Sequence, residues 1–196
     1  MAVTACMKAS TSTPRRVRFL AARRPALASR LLHLFTRAVF AWQRRSARRL
    51  GVAEPRTGGV TAIQRFGSSL NLNVHLHSLV PDGVFVLDGD GPATFFALPP
   101  PRDEEVEAIL RRIVRRTAKA LVGLEEDLGC EADALAALQA AEVDRRMRYS
   151  DPFPHVRRSA FLDGFSLHAG VRIHGNDRAG LERLPTAAPT AGAHHS

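Results

Sequence analysis

The chain has 196 residues and 45% hydrophobic content, enough for one domain with a core and too apolar for a disordered chain. No run of about 18 apolar residues occurs, and Met1 to Thr13 is small and polar, so neither a membrane helix nor a signal core is expected. Two cysteines, Cys6 and Cys130, lack CxxC or metal spacing, which excludes a disulfide scaffold or zinc ribbon and fits a cytoplasmic protein. The net charge of +9 is uneven: residues 1–53 hold twelve of the 28 Lys and Arg and no acid. That asymmetry points to a polyanionic partner, nucleic acid first.

In chain order, residues 1–13 are expected to be disordered. Residues 15–21 alternate loosely, as a first strand would. Pro25 suits the first turn of a helix. Leu27, Leu31, Leu34, Phe35, Ala38 and Trp42 then form an apolar stripe at helical spacing, with Phe35 and Trp42 read as core. Arg44, Arg45, Arg48 and Arg49 close that helix. They suit its negative end and are candidates for DNA phosphate, with Arg65 further on.

Residues 59–66 and 73–80 read as strands, and the five residues between them suit an antiparallel pair. Pro81-Asp82-Gly83 is turn chemistry, so 84–88 is expected to fold back as a hairpin. A short strand at 94–98 stops at three prolines. Asp103 reads as the N-cap of a helix with Val106, Ile109, Leu110, Ile113, Val114, Thr117 and Leu121 inward. Its Arg111, Arg115 and Lys119 read as a solvated flank. An Ala-rich helix over 131–148, a strand over 166–173 and a helix from Asp177 to Leu184 follow. Residues 185–196 have the composition of a disordered tail. The order gives an α+β fold, a central antiparallel sheet with packed helices.

The densest chemistry is in Asn73-Val74-His75-Leu76-His77-Ser78-Leu79-Val80. Strand residues two apart share a face, so His75 and His77 stand side by side with Asn73, while Val74, Leu76, Ser78 and Val80 face a core. Two imidazoles about 7 Å apart can tilt onto one divalent ion if a third ligand arrives from elsewhere. His168, in the last expected strand, is the candidate third ligand.

The segment from Gly59 to Leu72, running into His75-Leu76-His77, resembles the HUH motif and preceding strand of two-tyrosine rolling-circle transposases. The resemblance extends from about Pro14 to Leu184. It implies an HUH endonuclease-like core with the ligand strand mid-sheet, and a catalytic domain over 14–184 incomplete at both ends. It also implies a manganese or magnesium ion and single-stranded DNA, nicked through a tyrosine that stays joined to the 5′ phosphate.

The family's tyrosines lie on a helix after the last strand. Here that helix reads from Leu184 into Pro185, and no tyrosine follows. Tyr149, the only tyrosine, lies ahead of the last strand and is a remote candidate for the nucleophile. The family's cysteine-rich zinc module is also missing. The expectation is a truncated transposase that holds metal and DNA but does not cleave alone. Three alternatives stay open: a DNA-binding module with a vestigial metal site, a hydrolase using an activated water, and a decayed reading frame with no function.

Overall fold

A computed structural model describes residues 5–66, 72–87, 91–125, 157–174 and 177. Its elements are β1 (Ala5–Ser12), α1 (Arg15–Arg23), α2 (Pro25–Arg49), β2 (Val60–Phe66), β3 (Leu72–Pro81), β4 (Gly83–Val86), β5 (Thr94–Ala97), α3 (Asp103–Glu125), β6 (Ser159–Leu162) and β7 (Phe165–His174). Five strands form one antiparallel sheet in the order β2-β3-β1-β7-β6. Three helices belong to the described residues, so the fold is α+β. The helix expected at 131–148, Tyr149, the helix residues 178–184 and the tail lie outside them.

The N-terminal stretch differs from expectation. Residues 5–12 are not disordered: they form the middle strand, paired with β3 on one side and β7 on the other. Ala9 and Thr11 are buried, and Thr11 Oγ1 donates to the carbonyl of Ser166 at 2.6 Å. Apart from Met7 and Lys8 its residues are small and show no hydrophobic alternation, so this strand owes its place to its neighbours.

Residues 15–21 are helical rather than extended. Val17, Leu20 and Ala21 are buried at three- and four-residue spacing, which a helix satisfies and a strand does not. Arg24 is extended between the two helices, as the residue before Pro25 must be.

α2 buries Leu27, Leu31, Phe35, Ala38 and Trp42 as the stripe requires. It ends where Gly51 takes φ +87° while Val52 N–H reaches the Ala47 carbonyl and Gly51 N–H that of Arg48. Only a residue without Cβ adopts that turn at no cost.

α3 buries Val106, Ile109, Leu110 and Ile113. Its cap differs from the expected Asp103. The helix is preceded by Arg102, whose N–H is accepted by Glu105 Oε2 at 3.1 Å, while Asp103 Oδ1 accepts from the Arg158 N–H at 2.5 Å. One apolar cluster joins all three helices to Ala9, Leu76, Val80, Ala160 and Leu167. The helices therefore cover the Leu76 and Val80 face of the sheet.

β2 and β3 pair antiparallel as expected, but β4 does not fold back on β3. Both edges of β3 are already taken, by β2 and by β1. β4 pairs instead with β5 in a separate two-stranded sheet. Gln43 Nε2 holds this corner by donating to the Pro81 carbonyl at 2.8 Å. A Cβ on Gly83 would meet the Phe96 carbonyl oxygen at 2.3 Å, so glycine is required there.

The central place of β1 has a measurable consequence. A chain starting at residue 13 should fail to fold, because β3 and β7 would each lose a partner and expose backbone groups. Circular dichroism and limited proteolysis read this out. A fragment with the full-length melting transition would contradict the assigned topology.

Candidate metal centre

Alternation along β3 sends His75 and His77 to the face away from the helices, because Val74, Leu76 and Val80 are buried on the other. The two rings lie side by side, 6.1 Å between centroids and 30° from parallel. Both are half-buried.

Cross-strand register decides what surrounds them. On β2, Gln64 stands opposite His75 and Ala62 opposite His77. On β1, Ser10 stands opposite His77, and across it on β7 comes His168.

Gln64 is the residue that sequence reasoning missed. Its Oε1 lies 3.0 Å from His77 Nε2. An amide oxygen only accepts, so with this assignment Nε2 carries the proton and Gln64 fixes the ring. The signal was a polar residue inside an apolar strand, but only the register ties it to the histidines.

Arg18 was missed for a different reason: its segment reads as a strand. On α1 its Nε donates to the Thr13 carbonyl, holding the guanidinium at the end of the sheet. His75 feels that charge. Burial first, then Arg18, then His77 lower its pKa from 6.5 to about 4. The ring is therefore neutral at pH 7, the form in which imidazole binds a metal.

His168 stands two strands from His77, roughly 10 Å in the plane of the sheet. Its Nδ1 is 2.8 Å from Ser159 Oγ, its ring meets Phe161 edge-on at 5.4 Å, and burial lowers its pKa. Among the described residues no three His, Cys, Asp or Glu side chains form a metal-holding group, so His168 does not join the pair.

The fit of an ion thus rests on His75, His77 and the Gln64 oxygen. Two adjacent ligands on an ion with bonds of about 2.1 Å stand roughly 3 Å apart. With the His77 proton on Nδ1 instead, its Nε2 and the Gln64 oxygen have that separation, and the neutral His75 ring is beside them. Nitrogen with oxygen donors suits manganese or, less well, magnesium.

The arginines expected to meet DNA are elsewhere. Arg44, Arg45, Arg48 and Arg49 end α2, on the far side of the sheet. Arg44 Nη1 donates to Thr57 Oγ1 at 3.2 Å, and Arg49 pairs with Glu105 at 2.6 Å. Arg45 and Arg48 are exposed. Arg65 follows Gln64 in β2, and its side chain lies outside the described residues.

The lowered His75 pKa makes stability depend on pH. Between about 6.5 and about 4 the unfolded chain binds a proton that the folded chain refuses. Stability should fall as pH drops through that window and level off below it, with His168 acting in the same direction. His75→Gln should flatten the fall, read as the urea midpoint at several pH values. An unchanged slope in the variant would refute the environment assigned to His75.

No curated protein and no solved structure matches this chain. One protein-family model does, over residues 58–186, and its description reads "Putative transposase". The match runs from the residues just before β2 past the end of β7, so it contains Gln64, His75, His77 and His168. It covers well over half of the 196 residues, and the chain belongs to this transposase family.

Proposed function

We propose that this domain takes part in DNA transposition of the rolling-circle kind, binding single-stranded DNA and a divalent ion on the histidine face. One observation carries the reading: His75 and His77 side by side at 6.1 Å, with the Gln64 oxygen 3.0 Å from His77. Family membership supports DNA as the partner. The resemblance to HUH enzymes supports a single strand and an ion of the manganese or magnesium type.

Each residue has a separate task. His75, kept neutral by burial and Arg18, offers a nitrogen lone pair without first losing a proton. His77 supplies the second nitrogen and Gln64 an oxygen. Arg18 adds a fixed positive charge at the end of the sheet where a phosphate would approach. A bound divalent ion supplies charge stabilisation to a phosphodiester oxygen. In this reading the chain holds the strand, and cutting it needs a tyrosine hydroxyl in line with the phosphate. Tyr149 is the single tyrosine of the 196 residues.

Calorimetric titration with manganese tests the ion. The wild type should bind it, His75→Ala/His77→Ala should not, and Gln64→Ala should bind about 10- to 100-fold more weakly. Equal binding by all three removes the metal site and leaves a DNA-binding module. Tyr149→Phe tests the nucleophile in a nicking assay on labelled single strands. Wild type and variant should be equally inactive, and activity lost only in the variant would make Tyr149 the attacking group.

A further inference from the structure

The strongest unexplained feature is on the side of the sheet away from the histidines. α2 carries no acidic residue, and α3 carries none between Glu107 and Glu125. On α2, Arg30, Arg37, Arg44 and Arg48 recur at intervals of seven, seven and four residues. At 3.6 residues per turn they form one stripe about 27 Å long.

α3 runs antiparallel beside it. Arg49, at the end of α2, pairs with Glu105 in the first turn of α3, whereas Arg37, more than three turns earlier, feels the charge of Arg116. Arg112, Arg115 and Arg116 therefore continue the positive surface across the groove between the helices.

This is not the usual solvated helix face, where both signs are interspersed. Other arginines, two of them on these same helices, find carboxylates: Arg49 with Glu105, Arg111 with Glu107, Arg172 with Asp82. Among the described residues, Arg30, Arg37, Arg48, Arg112, Arg115 and Arg116 make no ion pair. The crowding is strong enough to push Arg116 below the ordinary guanidinium range, through Arg112 first, then slight burial, then Arg37 and Arg115. Like charges gathered without counter-charge destabilise a fold unless an anion relieves them.

We propose that the α2–α3 groove is a second DNA-binding surface, one that takes the phosphate backbone of a duplex without reading its sequence. The charge pattern asks for a polyanion, and the choice of DNA rests on the transposase reading. Duplex is favoured over single strand because single-strand surfaces interleave cations with aromatic platforms. Neither helix presents a fully exposed aromatic side chain: Phe35 and Trp42 are buried, and Phe40 is partly buried against the core. A duplex presents about one phosphate charge per 1.7 Å of axis, so a 27 Å stripe meets its backbone over most of a helical turn. The histidine face and this groove lie on opposite sides of one sheet. A strand held at the first and its flanking duplex at the second would place the junction between them at the sheet's edge.

The test is fluorescence anisotropy on a mixed-sequence duplex of about 20 base pairs, in EDTA, across a series of sodium chloride concentrations. Each lost phosphate contact should lower the magnitude of the log–log salt slope by about 0.9. Arg37→Gln/Arg112→Gln/Arg116→Gln should therefore lower it by about 2.7 and weaken binding at least tenfold at about 100 mM salt. Lysine at the same three positions should keep most of the slope. Should the triple glutamine variant fail to fold, Arg37→Gln alone, on an exposed helix position, should still lower the slope by about 0.9. His75→Ala/His77→Ala should bind the duplex as the wild type does, so loss of the metal reading leaves this one standing. A glutamine variant with wild-type slope and affinity would overturn the proposal.

Discussion

β3 is hydrogen-bonded along both edges, and most of the molecule follows from that double pairing. Because β2 and β1 occupy its two sides, the chain leaving Pro81 has no edge to fold back upon, and β4 is driven out to pair with β5. Because both registers are set, a side chain on β3 meets the same partners every time: Gln64 opposite His75, Ser10 opposite His77. A slip of one residue on β2 would turn Gln64 away from the histidines and bring Ile63 or Arg65 to their side. Geometry of a few ångströms at the ring nitrogens thus depends on a ladder of backbone hydrogen bonds some distance away.

The sheet also divides two kinds of chemistry. On one face, the half-buried His75 imidazole is kept uncharged, since burial penalises the imidazolium and Arg18 repels it. On the other, permanently charged guanidinium groups ride on helices whose inner stripes are mostly apolar. Neutral nitrogen donors and fixed cations do different jobs: the first can share electrons with an ion, the second can only attract phosphate. A layer of Leu76, Val80, Phe35 and Leu110 lies between them, so the two chemistries are held apart by the thickness of the core. Arg18 is the exception, and its tie to Thr13 sets it at the end of the sheet rather than over the helices.

Long, strongly patterned segments were legible. The stripe from Leu27 to Trp42 could only be a helix, and the alternation from Asn73 to Val80 could only send His75 and His77 to one face. Short elements of small or polar residues were not. β1 has a single large apolar residue, Met7, which by itself marks no period. The hairpin β6–β7 was half missed, though Asp163-Gly164 is its turn: both take positive φ, 49° and 76°, and Leu162 pairs with Phe165 across them. Asp-Gly is the pair such a two-residue turn prefers.

The sequence by itself determined which residues share a face and where the charge lies, since both follow from the local period of the backbone. It also carried enough motif around His75 and His77 for the family to be read. Tertiary structure alone decided that Ala5–Ser12 is the central strand, that Gln64 stands beside the histidines, and that the arginines of α2 face away from them. The physical reason is the same in each case. Strand partners are chosen by which edges remain free and which faces can be buried together, and those choices involve residues far apart in the chain.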